Sequence, residues 1–371
     1  MQNNDISSRQ AIFRYLLNRE GVTKQELFTG LGISLPTIKV SLESLEKEQF
    51  ICPLGRLTNT GGRNAIKYGI DPNGHFAAGL YLSQHRIDAA CVDQTGSVIS
   101  SCSKEEELDA HNFEYLKKIA EAVEDSIDRS GQDRGKYLGV GIAIPSLVDS
   151  DGEHIIHGMT ADFTGITRKW LSRCIDYPTI LVHDSDAAGL AEIWKNISET
   201  NAVYLNINDS IGGSVFINGI QYKGNGSLAG EIGHMIVQHE NAKRCYCGRY
   251  GCLDTVCRCG VLYEEVGGSL EGFFEELNMN NQKAAGVWES FLSHLAVAIH
   301  NIRMLADCDI IVGGRIGSFM ENHISELCDR VDELSVFADP ALEYIKVSGA
   351  SADVTAAGAA ISILNKTISL L

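Results

Sequence analysis

Residues 230–254 read GEIGHMIVQHENAKRCYCGRYGCLD, and this stretch says more about the chain than any other. His234 is followed by Cys245, Cys247 and Cys252. Three thiolates and one imidazole form a closed tetrahedral set for zinc, with no position left open for a substrate. Soft sulfur donors suit a structural ion, and Gly248 and Gly251 let the backbone wrap closely around it. Reduced thiols that bind nothing are the alternative. Cys257 and Cys259 follow, but no histidine or carboxylate stands at a useful spacing, so they read as buried or free thiols.

Upstream of residue 74 the texture is different. RQAIFRYLLNRE (9–20) places Ile12, Leu16 and Leu17 on one helical face, and Gly21 stops it. Thr23 with Glu26 three residues on has capping-box spacing for a second helix, closed by Gly32. Ser34 opens a third helix, with Pro36 in its first turn, where a missing N–H costs nothing, and Ile38, Leu42 and Leu45 as its buried stripe. Two strand-like stretches, 50–56 and 64–70, flank the turn LTNTGGR. Three short helices and a hairpin make a winged helix-turn-helix, whose third helix enters the major groove. Thr37, Lys39, Ser41 and Lys47 on that helix, with Arg56 and Arg63 on the wing, are the expected DNA contacts. A small helical bundle that binds protein is the alternative.

Charge follows the same division. The net charge is −17, yet residues 1–73 carry nine Lys/Arg against seven Asp/Glu, while the rest carries 22 against 41. A slightly basic head on an acidic body approaches phosphate while the body stays away. Eleven cysteines, an odd number, argue against a disulfide framework. The first nine residues are polar, and no apolar run reaches the roughly 20 residues a bilayer requires. A cytoplasmic chain with no membrane partner is expected.

From Phe76 strands and helices alternate. Residues 77–100 read as two strands joined by a turn, followed by a charged helix over 104–130. YLGVGIAIP reads as a central strand buried on both faces. TILVHD runs into a helix at His183–Asp184, and a long helix over 286–306 precedes the strand CDIIVGG. The last stretch, SADVTAAGAAISILNKTISLL, is a small-residue helix able to pack closely on a sheet. This is an α/β body, expected to have two lobes.

GEIGH followed by CxCGxxGCL resembles the signature of the ROK family (repressor, open reading frame, kinase), and the TGGR turn after a winged helix is similar to the linker region of its repressors. The resemblance spans essentially the whole chain. It implies a winged helix followed by the two-lobed, actin-like (RNase-H-like) fold of sugar kinases, with sugar held between the lobes. The expected division is 1–73 for the DNA-binding head and 74–185 for the first lobe, completed by a helix over 353–371. Residues 186–352 then form the second lobe, with the zinc loop and a dimerisation surface. The family's sugar-gripping Asn-Asp pair falls on His183 and Asp184, its Glu and His on Glu231 and His234, and its second Glu on Asp254, one methylene shorter. Carboxylates and imidazoles satisfy sugar hydroxyls as donors and acceptors together. Asp184 is equally suited to capping a helix.

The resemblance also shows where phosphoryl transfer fails. The kinase motif Asp-x-Gly-Gly-Thr falls on Tyr81-Leu82-Ser83-Gln84-His85, without carboxylate or glycines. The second motif, Gly-Thr-Gly, falls on Asn208-Asp209-Ser210, where a carboxylate would repel phosphates; Gly313-Gly314 survives on the adenosine side. Phosphoryl transfer rests on positioning and charge neutralisation, so losing both cradles abolishes it. The expectation is a repressor, not an enzyme, that binds operator DNA as a homodimer or tetramer and answers to a sugar or sugar phosphate. Two alternatives stand beside it: an active sugar kinase with a fused head, and a repressor controlled by a sugar-transport subunit.

Overall fold

The computed structural model describes residues 7–56, 65–149, 151–157, 163–194, 200–348 and 354–371. The chain divides into two compact units, Met1–Glu199 with Thr355–Leu371, and Thr200–Val354.

The first unit opens with α1 (Ser8–Leu16), capped by the Ser7 hydroxyl and ending short of the expected stop at Gly21. After β1 (Val22–Thr23), the capping box that starts α2 (Lys24–Leu31) forms in full. Thr23 Oγ1 accepts from the Glu26 N–H at 3.3 Å, and Glu26 returns a carboxylate to the Thr23 N–H at 2.7 Å. Gly32 ends α2 in the left-handed region. Ser34 caps α3 (Leu35–Lys47), whose buried Ile38, Leu42 and Leu45 form the core of this head with Ile12, Phe13 and Leu16. The strands β2 (Ile51–Arg56) and β3 (Ile66–Ile70) pair antiparallel, with β1 on the far edge of β3. Arg63 and the rest of the hairpin tip lie outside the described residues, as does the Arg56 side chain.

The expected pair of strands after Phe76 is three: β4 (Phe76–Leu82), β5 (Arg86–Asp93) and β6 (Val98–Glu105), an antiparallel meander. The second turn is built by Asp93, whose carboxylate accepts from the N–H groups of Thr95 and Ser97. The charged helix is also shorter than expected. Lys104 pairs with Ile87 in the ladder, and α4 (Phe113–Ser130) begins only after the Asn112 cap. Leu116, Ile119, Val123 and Ile127 bury one face of α4 against the sheet. Next come β7 (Tyr137–Ile144), the small hairpin of β8 (Leu147–Val148) and β9 (Ile155–His157), α5 (Arg168–Leu171), β10 (Thr179–His183) and α6 (Asp184–Ile193). The sheet order is β10-β7-β4-β5-β6, with β7 parallel to both neighbours and buried on both faces, as its apolar run implied.

The second unit repeats this order. It consists of β11 (Ala202–Ile207), β12 (Ile211–Ile217), β13 (Ile220–Gln221), α7 (Asp254–Cys257), α8 (Cys259–Tyr263), α9 (Leu270–Asn278), α10 (Gln282–Ala306), β14 (Asp309–Gly313), α11 (Gly317–Met320), α12 (Ile324–Leu334), α13 (Ala341–Tyr344) and β15 (Ile345–Val347). Its sheet order is β13-β12-β11-β14-β15: again three antiparallel strands flanked by two parallel ones. Leu292, Leu295 and Ile299 of α10 pack in the core with Leu205, Ile310 and Val312. The chain then returns to the first unit as α14 (Val354–Ile368), where Ala359 packs with Ala143 and Ala187. Small side chains permit that close approach. Two RNase-H-like sheets in series are the actin-like sugar-kinase fold. Among the described residues no helix is long and apolar enough to cross a membrane.

Candidate metal centre and ligand site

A short helical turn at Ile232–His234 leads into the cysteine loop. The Cys245 N–H donates to the Arg249 carbonyl, the Gly248 N–H returns to the Cys245 carbonyl, and Gly248 and Gly251 take positive φ at 85° and 79°. This knuckle brings His234, Cys245, Cys247 and Cys252 together, with all four ligand atoms within 4.8 Å of one another. The Cys247 and Cys252 sulfurs are 3.7 Å apart, and Cys245 Sγ is 3.7 Å from His234 Nδ1. A tetrahedral ion with metal–sulfur bonds of about 2.3 Å has sulfur–sulfur edges of about 3.8 Å. The four residues therefore fit a tetrahedral metal. Burial pushes Cys252 up to about 12 and raises Cys245. Burial also works against the Cys247 thiolate, but the Arg249 N–H and the neighbouring thiols outweigh it, and Cys247 ends below its ordinary range.

His234 Nε2 lies on the other side of the ring, 3.9 Å from Glu231 Oε2. The Tyr246 ring meets His234 edge-on at 5.1 Å. Asp254, at the start of α7, is buried, and its Oδ1 accepts from the Ile211 N–H at 2.8 Å. Burial raises its carboxyl above the usual range. A cavity of about 730 Å³ beside the metal loop is lined by Tyr246, Asp254, Arg258, Glu264 and Lys283, among others; Glu231 and His234 do not line it. Cys257 and Cys259 are buried, and their thiols donate to the carbonyls of Phe291 and Ile207.

In the first unit, His183 closes β10 and Asp184 opens α6. The Asp184 carboxylate sits in the first turn, where the helix dipole favours negative charge. Its Oδ1 accepts from the Ser185 N–H at 2.6 Å and lies 3.3 Å from His183 Nε2. Its Oδ2 is 3.5 Å from the Tyr81 hydroxyl. Tyr81, on β4, thus reaches toward the carboxylate that opens α6.

The Asn208–Ser210 turn departs from expectation. Asp209 is not left to face incoming phosphate. Its Oδ2 accepts from Arg315 Nη1 at 2.7 Å and its Oδ1 from the Tyr263 hydroxyl at 2.7 Å. The Arg315 N–H donates to Asn208 Oδ1 at 2.8 Å. The bond to Asp209 pushes the Tyr263 hydroxyl above its ordinary range. The Asp209 charge is thus met within the second unit by Arg315 and Tyr263. Sequence reading missed Arg315 and Tyr263; the position of Arg315 directly after Gly313-Gly314 was the available signal.

On α3, Thr37 and Lys39 are exposed; the Thr37 hydroxyl lies 2.8 Å from Ser34 Oγ, and Lys39 faces Glu43 at 3.8 Å. Ser41 is a correction. It is only 6% exposed, because it lies on the same side of the helix as Ile38, Leu42 and Leu45. The exposed face carries Val40 instead, at 66% exposure, which charge and hydrogen-bonding criteria passed over.

The comparisons agree with this architecture. The ROK family model matches residues 78–365, and the chain belongs to that family. The chain is 22% identical over 304 residues to a xylose repressor of Bacillus subtilis, covering 80% of this chain and 78% of that one. A solved ROK family transcriptional regulator, described as a homolog of the E. coli MLC protein, superposes with a TM-score of 0.76 at 19% identity, covering 98% of each chain. A ROK hexokinase from Thermus thermophilus superposes with a TM-score of 0.64 at 20% identity, over 79% of this chain and 99% of that one.

Proposed function

We propose that this protein is a sugar-responsive transcriptional repressor that reads DNA through a winged helix at 1–73 and carries a kinase-derived body that no longer transfers phosphate. The observation that supports the reading is Asp209 held by Arg315 and Tyr263 in the turn the resemblance aligns with a kinase phosphate motif, in a chain that also has a helix–hairpin head. Kinase relatives exist within the family, such as an N-acetylmannosamine kinase of Vibrio cholerae at 29% identity over 58% of this chain. The altered turns distinguish this chain from that activity.

The metal is zinc and structural. Cys245, Cys247, Cys252 and His234 Nδ1 would hold it, and a bound dication would supply a cross-link for a loop with little regular secondary structure. The donors and acceptors proposed for sugar hydroxyls are His183 and Asp184, and Glu231, His234 and Asp254. Thr37, Lys39, Arg56 and Arg63 contact the operator. The protein acts as a dimer or higher assembly in the cytoplasm, because one small winged helix buries too little surface for tight specific binding.

The test is calorimetric titration of D-xylose, D-glucose and N-acetylmannosamine into the purified protein, alongside retention of a duplex selected by the protein from random sequence. Binding of one sugar, with a changed affinity for the selected duplex, supports the reading. ATP-dependent sugar phosphorylation with no DNA retention overturns it.

A further inference from the structure

The chain leaving α3 turns back through Gln49, which takes positive φ at 62°. Gln94, in the turn between β5 and β6, is buried and donates from Nε2 to two carbonyls of the head, Gln49 at 2.9 Å and Asp71 at 2.6 Å. Gln49 follows the end of α3 and Asp71 follows the end of β3, so one side-chain amide holds the chain after the third helix and the chain as it leaves the head. Neighbouring contacts reinforce it. The Asp71 N–H donates to the Phe50 carbonyl, His75 Nε2 lies 2.8 Å from the Glu48 carbonyl, and Lys136 donates to the Asn73 carbonyl at 2.8 Å. The approach is as close as backbone allows: a Cβ on Gly74 would fall 1.8 Å from the Gln49 oxygen.

The same turn is braced from behind. Asp93 Oδ1 accepts from Thr95 and Ser97, and Gly96 presses on Trp194, where a Cβ would lie 2.3 Å from the indole Cδ1. Trp194 is buried and closes α6, the helix that Asp184 opens. A ten-residue helix carries an axial displacement over about 15 Å. Gln94 Oε1 and Trp194 Nε1 are both buried without a hydrogen-bond partner among the described residues. Each is a buried polar atom that this packing leaves unpaired, one on either side of the β5–β6 turn's backbone contacts.

We propose that the Gln94 contact couples the ligand state at Asp184 to the DNA-reading head, with α6 and Trp194 delivering the movement and the Gln49 and Asp71 carbonyls receiving it. Gln94 is a positioning residue: it touches neither DNA nor sugar, and it fixes how α3 is presented. This rests on the repressor reading above and names the route of its regulation.

The experiment uses the full chain and the variants Gln94→Ala, Gln94→Glu and Trp194→Phe. Three quantities are read: affinity for the selected duplex with and without the sugar that binds, sugar affinity by calorimetry, and amide hydrogen exchange over 45–51 and 70–75. For the wild type, sugar changes duplex affinity by roughly 5- to 150-fold, the usual range of coupling between sites. In Gln94→Ala that ratio falls to near one while sugar affinity holds, and amides in both segments lose protection. Gln94→Glu goes further, because a carboxylate facing two carbonyls repels where the amide donated. Trp194→Phe narrows the ratio without deprotecting the segments. A purely structural role would lower stability and leave the sugar ratio as in the wild type, and that result overturns the proposal. Unchanged exchange in Gln94→Ala overturns it independently of any sugar. A wild type that binds neither duplex nor sugar overturns the repressor reading itself.

Discussion

Arg315 and Asp209 form an ion pair across the Asn208–Ser210 turn: Nη1 to Oδ2 is 2.7 Å, and the Tyr263 hydroxyl donates to Oδ1 at 2.7 Å. Purified protein should therefore show no phosphorylation of hexoses, pentoses or amino sugars with ATP and magnesium, in a coupled assay that resolves turnover well below the 1 s⁻¹ floor of about typical enzymes. Asp209→Ala should not restore it, because Tyr81 still lacks the magnesium carboxylate. The variant should lose no more than about 1 kcal/mol of stability, since both partners are half exposed. Kinase turnover in either protein would refute the proposed loss of phosphoryl transfer.

Metal analysis of freshly purified, reduced protein should find one zinc per chain. Cys247→Ser should lose it and unfold at lower temperature, because the loop has little other framework. Glu231→Ala should leave the zinc stoichiometry at one per chain, since Glu231 Oε2 lies 3.9 Å from His234 Nε2, beyond hydrogen-bond reach. Zinc-free protein with an unchanged melting temperature would remove the cluster from the list of structural elements.

On α3, the proposed reading helix, Lys39→Ala should weaken duplex binding and flatten the salt dependence by about 0.9 in the log–log slope for a lost phosphate contact. Ser41→Ala should leave affinity nearly unchanged, since the hydroxyl faces the core of the head. Val40 is 66% exposed on α3, and on the proposed reading it is the apolar side chain suited to thymine methyl groups. Replacing thymine by deoxyuracil in the selected duplex should weaken the wild type more than Val40→Ala. Equal losses in both proteins would take Val40 off the interface.

Asp184→Ala should abolish the sugar response and leave sugar-free duplex affinity nearly intact. Its carboxylate belongs to the first turn of α6, so part of the effect on stability will come from losing a favourable charge at the helix start, about 0.3–1 kcal/mol. Comparing duplex affinity with and without sugar separates the two contributions, because only the ligand contact changes the ratio. A mutant that responds at the wild-type sugar concentration would place the sugar elsewhere.

Much of the local chemistry was legible from the order of residues, though not the burial of Ser41 or the start of α4. The capping box at Thr23 and Glu26, the Ser34 cap, the buried run of β7 and the His234, Cys245, Cys247 and Cys252 set all rest on contacts among near neighbours or on burial patterns, and periodicity and spacing report those directly. Tertiary structure decided the rest. Lys104 belongs to a strand because β5 lies beside it and Ile87 pairs with it, a contact that helical charge patterning could not foresee. The two units share one strand order with no detectable sequence repeat, because strand order depends on which edges pair and not on which side chains recur. Asp209 finds Arg315 more than a hundred residues away, and Gln94 finds Gln49 and Asp71 across the boundary between head and lobe. A polar side chain's partner is set by which backbones the fold brings within 3 Å. The sequence specifies that the side chain needs one, and only the packed sheets decide which.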